Sequence, residues 1–403
     1  MSDYSTLAIL AAFLFFYSAG ASRLEKTIVN GALVFMGFGI VCGPLGLNIL
    51  RLDPGAEGLR TLAEWTLALV LFSDAANANL GVLKPTLRLP ERLLLIGLPL
   101  TIALGFGAGV LVLGGLTLLE LAIVATMLAP TDAALGQAVV TNPAVPAKVR
   151  ESLNVESGLN DGICVPVLFI FLAIATNKAG DEGMLGLASR LIVEEIGIGA
   201  VVGLAVASIA SAILKRSISR GWVADSWLPI PVVALAMTCF ATAQSLGGSG
   251  FIASFVGGLT FGAMVKDHKG QLLSAAESTG DTFSLLTWVA FGAAVVGHSI
   301  EHFSWRIVVY AVLSLTVVRM LPVFLVLTGT GLGTKSKLFM GWFGPRGLAS
   351  IVFLIIVLGD DLPGAHIIAM TVVFTVMLSV VAHGLTANPL ASAYGASVKD
   401  GSE

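Results

Sequence analysis

Charge is what this sequence has least of. Only 12% of its 403 residues are Asp, Glu, Lys or Arg, against 56% that are hydrophobic, and a water-soluble fold of that length could not cover its surface with so few polar groups. The solvent for most of the chain is therefore lipid. Cysteine is scarce too. Cys42, Cys164 and Cys239 stand far apart inside apolar runs, without ligand spacing, so they read as small core residues and disulfides are not expected. A formal net charge of −3 with scattered basic residues leaves no footprint for nucleic acid. No Gly-x-x-x-x-Gly-Lys-Ser/Thr phosphate loop occurs, and residues 389–403 form only a short polar tail. With no room expected for a nucleotide-binding or regulatory domain, any uphill work has to come from a coupled gradient. The sequence is read as neither an enzyme nor a cofactor carrier. The first apolar stretch has no basic residues before it and no convincing small-residue cleavage site after it, so a cleaved signal peptide is not expected.

What the chain does have is apolar runs. A spanning helix needs about 20 mostly apolar residues, and the runs predict an all-α polytopic membrane protein with about thirteen spans: 6–21, 28–50, 61–80, 93–116, 118–140, 152–175, 191–214, 228–246, 251–265, 282–297, 307–328, 338–358 and 367–385. Lysine and arginine accumulate in loops that stay in the cytoplasm. Fourteen of them fall in the odd-numbered loops (Arg23, Lys26, Lys84, Arg88, Arg92, Lys148, Arg150, Lys215, Arg216, Arg220, Lys266, Lys269, Lys335, Lys337) and five in the even ones (Arg51, Arg60, Lys178, Arg190, Arg306). That alternation predicts an N-terminus outside, a C-terminus inside, and one transmembrane domain over 1–388.

Two spans are interrupted at corresponding places. Ala129-Pro130-Thr131-Asp132 lies within the fifth and Gly344-Pro345-Arg346-Gly347 within the twelfth, seven spans later. Matched Gly/Pro breaks are the sequence mark of inverted-repeat transporters whose discontinuous helices cross near the bilayer midplane, and two six-helix repeats joined by a linker fit the count. Proline removes a backbone donor and strains the preceding turn, so each break frees peptide groups that must find partners inside the protein. Asp132 is expected at half-helix N-termini and Arg346 at C-termini, each offsetting a helix dipole. The plainer alternative is that Pro130 and Pro345 merely kink two packed helices.

The sixth span begins Ser152-Leu-Asn-Val-Glu156-Ser157-Gly-Leu-Asn160-Asp161. Buried acids are costly in lipid and mark functional sites. With the helix starting near Ser152, Asp161 would lie about 13 Å along it, level with the breaks, and Ser157 one turn below on the same face. A hard cation such as sodium wants oxygen ligands; Asp161, Ser157, Thr131 and carbonyls freed near Asp132 would supply them. Glu156 needs a partner, and Arg319, in the middle of the eleventh span, is the natural one. That pair is read as support for the fold rather than as a carrier of ions. Most of the five histidines, His268, His298, His302, His366 and His383, lie in or near predicted loops and are read as bystanders.

These residues resemble the monovalent cation/proton antiporters, in particular the electroneutral NhaP-type sodium/proton exchangers, over nearly the whole chain. Thr131-Asp132 is similar to the family's pair in the fifth helix, and Glu156-Ser157-x-x-Asn160-Asp161 to its signature in the sixth, where the aspartate binds the ion. Arg319 stands where the family's eleventh-helix arginine pairs with that glutamate. Gly344-Pro345-Arg346-Gly347 is similar to its Gly-Leu-Arg-Gly-Ala segment, with Pro345 in place of leucine and Leu348 in place of alanine. Leu71-Phe72-Ser73-Asp74-Ala75 resembles its Leu-Phe-x-Glu/Asp-Ala/Gly stretch in the third helix. The resemblance implies a homodimer in a prokaryotic inner membrane, with a mobile core including 93–176 and 307–387 and a static interface part including 6–80 and 191–297. Electrogenic relatives carry aspartate where this chain has Asn160, so the resemblance also implies one cation per proton.

With Glu156 cancelled by Arg319, and Asp132 and Arg346 held by helix ends, Asp161 alone is expected to change protonation. Proton and cation then compete for it, and an empty carboxylate crossing a low-dielectric barrier would cost many kcal/mol. The expectation is exchange of sodium or lithium, or alternatively potassium, for a proton, in the service of pH homeostasis. Rival readings are a cation channel, an intramembrane aspartyl protease using Asp132 and Asp161, although its Gly-x-Gly-Asp signature is absent, and a sensor that binds ions without moving them.

Overall fold

A computed structural model describes residues 3–24, 31–52, 57–78, 88–132, 135–140, 142–176, 186, 192–266, 269–296 and 304–399. Lys26, Lys84, Lys178, Arg190, His268, His298 and His302 lie outside the described residues. Regular structure among the described residues is helical throughout. In chain order the helices are α1 (Asp3–Leu24), α2 (Gly31–Cys42), α3 (Glu57–Asn77), α4 (Leu98–Val112, entered through Arg88–Arg92 and a π turn at Leu93–Gly97), α5 (Leu118–Met127) and α6 (Ala147–Ala175). They continue with α7 (Gly199–Ser219), α8 (Ile230–Ser245), α9 (Gly250–Met264), α10 (Lys269–Ala290), α11 (Trp305–Leu315), α12 (Val317–Val326), α13 (Thr334–Trp342), α14 (Leu348–Leu358) and α15 (Ala365–Lys399).

Seven helical stretches among the described residues are long and apolar enough to cross a membrane: Tyr4–Ala21, Leu89–Val112, Ala147–Ala175, Val193–Ser219, Asp225–Ser245, Trp305–Val326 and Ala365–Val398. The chain is an integral membrane protein. Helices α3 and α10 have spanning length but carry Glu64 and Asp74, and Glu277 and Asp281, and fall outside that set. Helices α2, α5, α9 and α14 are apolar but short.

Small residues let the helices approach. Ser254, Gly258 and Gly262 recur every fourth residue along α9, the spacing that opens a close-packing seam in membranes. A Cβ on Gly258 would lie 3.0 Å from the Cβ of Ala75, and one on Gly262 2.9 Å from the Cα of Ala76, so these glycines admit α3. On the other side of α3, Gly158 of α6 brings its Cα within one methyl of Asp74: a Cβ there would lie 3.2 Å from that residue's Cβ. Helix α3 is thereby wedged between α9 and the helix that carries Asp161.

Three boundaries differ from expectation. Helix α6 starts at Ala147, not near Ser152, because Pro146 opens it: proline is pre-set for a helix start and loses no needed donor there. Asp161 is fourteen residues beyond that start, about 21 Å along the axis rather than 13. The second span's helix stops at Cys42, before Gly43-Pro44. The last helix runs on through Pro389 to Lys399, so residues 389–399 are helix rather than loose tail. What holds that extension is contact: Tyr394 is buried, stacks on Phe339 of α13 with ring centroids 4.2 Å apart, and its hydroxyl shares a 2.7 Å hydrogen bond with Ser336.

Candidate functional site

Both interruptions are present and face each other. Helix α5 ends at Met127, and the described chain is non-helical until a single turn at Gln137–Val140; α13 ends at Trp342, and five residues separate it from α14. Buried peptide groups in lipid have to be paired, and four carbonyls from the last residue of α5 onward are taken by other elements. Met127 O accepts from the Ser350 hydroxyl at 2.7 Å. Ala129 O and Pro130 O accept from Arg346 Nη1 at 3.0 and 3.2 Å. Thr131 O accepts from the Ser157 hydroxyl. A guanidinium at the carbonyl end of α5 is the sign a helix C-terminus favours, and Arg346 is fully buried there.

Asp132 plays the converse part. Its Oδ2 accepts the amide proton of Leu348, first residue of α14, at 2.8 Å, and its Oδ1 accepts that of Leu135 at 3.2 Å. Its own amide donates to Pro345 O at 2.8 Å, joining the two breaks backbone to backbone. The glycines of the second break make this approach possible. A Cβ on Gly347 would sit 2.7 Å from Asp132 Cγ, and one on Gly344 2.9 Å from Arg319 Cζ.

Arg319 grips Glu156 with both arms, Nη1 to Oε1 at 2.5 Å and Nη2 to Oε2 at 2.9 Å, and both residues are buried. This is the fork-to-fork geometry that makes an arginine–carboxylate pair strong and directional. The helix around Arg319 is interrupted at Thr316 (φ −110°, ψ −93°), so Arg319 lies in the first turn of α12.

On α6 the remaining residues converge on Thr131. Asn160 Nδ2 donates to Thr131 Oγ1 at 2.7 Å while Ser157 holds Thr131 O. Asp161, one residue on, is 8% exposed, and its Oδ1 and the Oδ1 of Asn160 are buried oxygens without a hydrogen-bond donor. Thr131, Asp132, Ser157, Asn160 and Asp161 thus form one oxygen-rich cluster beside the crossing, with Glu156–Arg319 and Arg346 around it. Proline adds one more freed group: Pro166, inside α6, cannot donate to the carbonyl four residues earlier, that of Gly162. A carboxyl group with an open oxygen in low dielectric is either protonated and neutral or ionised with a cation beside it. Asp74 packs against Gly158 on the next turn of α6.

Sequence reasoning missed residues on α14 and α15. Ser350 carries no motif that sets it apart, and His383 is no loop bystander. It is buried on α15 with Nε2 2.9 Å from Trp342 O. Ser379, also on α15, accepts the amide proton of Arg346 at 2.7 Å. The available signal was a polar stripe, Thr371, Thr375, Ser379 and His383, repeating every fourth residue through an apolar helix.

Paired helix breaks, compensated by opposite charges and crossing beside a buried carboxylate, define the class of secondary transporters built on discontinuous helices. A family model described as "Sodium/hydrogen exchanger, transmembrane" matches residues 9–393, and the chain belongs to that family. It is similar to the K(+)/H(+) antiporter NhaP2 of Shewanella oneidensis, 23% identical over 94% of this chain and 64% of the relative. It is also similar to the Na(+)/H(+) antiporter NhaH of Halobacillus dabanensis, 29% identical over 67% of this chain and 68% of the relative. The chain therefore spans less than two-thirds of the length of the NhaP2 relative. Among solved structures, the sodium proton antiporter MjNhaP1 of Methanocaldococcus jannaschii at pH 8 has the same fold, with a TM-score of 0.73 at 20% identity over 95% of this chain and all of that one. A map of the same antiporter gives 0.77 over 99% of this chain and 97% of that one.

Proposed function

We propose that the protein exchanges sodium, or lithium, for a proton across a prokaryotic inner membrane, one for one, with both ions competing for Asp161. The observation that carries this reading is the pair of open oxygens, Asp161 Oδ1 and Asn160 Oδ1, in a cluster where Glu156 is paired with Arg319, Arg346 donates to carbonyl oxygens and Asp132 accepts from backbone amides. Thr131 and Ser157 complete an oxygen ligand set suited to a hard monovalent cation. Asn160 contributes an amide rather than a second carboxylate, so only one negative charge is free to load, and a loaded site is neutral with either ion.

In this reading thirteen crossings, N-terminus outside and C-terminus inside, form two inverted six-helix repeats. The part including 93–176 and 307–387 moves as a core against the part including 6–80 and 191–297, and two copies associate through the latter. Core movement exposes Asp161 to each side in turn. Desolvating the bare carboxylate during that movement is costly enough to suppress uncoupled return. The physiological outcome is pH homeostasis.

Potassium is the second reading, and a specific observation favours it: the NhaP2 relative, similar over 94% of this chain, is named as a K(+)/H(+) antiporter. Oxygen ligands alone do not separate the two ions, because cavity size sets the choice. Proteoliposomes holding an acid-inside pH gradient decide between them. Dissipation on adding sodium or lithium, with little on adding potassium, supports the first reading; the reverse order supports the second. No dissipation with any of the three removes exchange altogether.

A further inference from the structure

We infer that Ser379 and His383 of α15 are positioning residues of the cation site, acting on it through the second break; this rests on the exchange reading above. His383 is 1% exposed, and its two ring nitrogens point along one hydrogen-bonded path. Nε2 lies 2.9 Å from the carbonyl oxygen of Trp342, the last residue of α13. Nδ1 lies 3.2 Å from Ser379 Oγ and 2.9 Å from Ser379 O. Ser379 Oγ in turn accepts the Arg346 amide proton at 2.7 Å.

A neutral ring protonated at Nε2 joins Trp342 to Ser379 and Arg346, and leaves only the 2.9 Å approach of Nδ1 to Ser379 O without a proton between the two atoms. Nε2–H donates to Trp342 O, the Ser379 hydroxyl donates to Nδ1, and Arg346 N–H donates to Ser379 Oγ. One helix therefore clamps the five-residue break at both ends, and the Trp342 indole adds a third tie by donating to Thr386 Oγ1 at 3.0 Å. A terminal carbonyl inside a membrane needs a donor. Lysine or arginine would supply one but would bring a further cation towards buried Arg346, whereas imidazole donates without charge.

The clamp reaches the ligands in two steps. Pro345, next to Arg346, accepts the amide proton of Asp132, and Thr131, next to Asp132, is held by Ser157 and Asn160. Thr375, a polar residue of the same helix, does nothing comparable: it donates to Thr371 O of its own helix at 2.7 Å.

The test is the apparent KM of the reconstituted full chain for the cation it exchanges, paired with the rise in melting midpoint that this cation induces in detergent. His383→Ala and Ser379→Ala should each raise KM at least fivefold and shrink the cation-induced shift. His383→Gln, whose amide can still donate to Trp342 O, should return KM to within twofold of the unmodified protein, and Thr375→Ala should leave it there. Should His383→Ala not fold, the comparison of Ser379→Ala with Thr375→Ala is decisive without it. Unchanged KM in Ser379→Ala overturns the inference, as does His383→Gln behaving no better than His383→Ala. Loss of exchange in the unmodified protein would remove the exchange reading, and this inference with it; unchanged KM in the variants of an active protein removes only the inference.

Discussion

Asp132 Oδ2 accepts the amide proton of Leu348 at 2.8 Å, so a carboxylate from the first helix break caps the helix that leaves the second. The capping oxygen survives in Asp132→Asn, but the charge opposite the α14 dipole does not. That variant should remain folded with transport reduced roughly tenfold, in line with about 1–2 kcal/mol for a favourable charge at a partly buried helix end. Gly347→Ala should do worse, because its Cβ would fall 2.7 Å from Asp132 Cγ. Initial exchange rates of the two variants at matched reconstitution check the order; a fully active Gly347→Ala contradicts it.

The Glu156–Arg319 pair is predicted to matter as a unit. Removing either partner leaves an uncompensated buried charge, worth about 3–5 kcal/mol, while Glu156→Gln with Arg319→Gln removes both. A double-mutant cycle on unfolding in detergent should give a double variant less destabilised than the sum of its singles. Additive losses would mean the two charges do not depend on one another.

Competition between proton and cation has a definite sign. Protonating Asp161 removes the charge that holds the cation, so apparent affinity is fully present at high pH and is lost as pH falls. Below the proton's own midpoint, KM should climb about tenfold per pH unit, as single-proton linkage requires. Exchange rates over a grid of pH and cation concentration measure this. A KM independent of pH, with only the maximal rate changing, would contradict a shared site.

One cation for one proton moves no net charge. Exchange driven by fixed ion gradients should be the same with the membrane potential clamped at zero or at about 100 mV, although one elementary charge crossing that potential would gain or lose about 2.3 kcal/mol. Voltage-dependent rates would point to unequal stoichiometry.

The charged residues of the site were legible because charge in an apolar background is rare and expensive. Glu156 and Arg319 are 163 positions apart, yet each demanded a partner, and few candidates existed. The prolines at 130 and 345 marked the breaks for the same reason: backbone freed in lipid has to be answered. Boundaries were harder, because hydropathy places a helix start where apolar residues begin, whereas α6 begins at Pro146-Ala147, in a polar stretch that helix geometry accepts. The part of Ser379 was hidden by its neighbours. Thr371 and Thr375 share its spacing and bond to their own helix, and only the three-dimensional crossing brings Arg346 N to Ser379. Gly344 and Gly347 mark a loosened helix in the sequence, but the room they leave for Arg319 and Asp132 depends on elements distant along the chain.

Asp161→Asn tests the central claim most directly, since it keeps the shape and an acceptor oxygen while removing the one charge that proton and cation would share. Reconstituted in proteoliposomes, this variant should show no cation-dependent dissipation of a pH gradient, and in detergent no cation-induced rise in melting midpoint, although it folds. Exchange at an appreciable fraction of the unmodified rate would contradict the account.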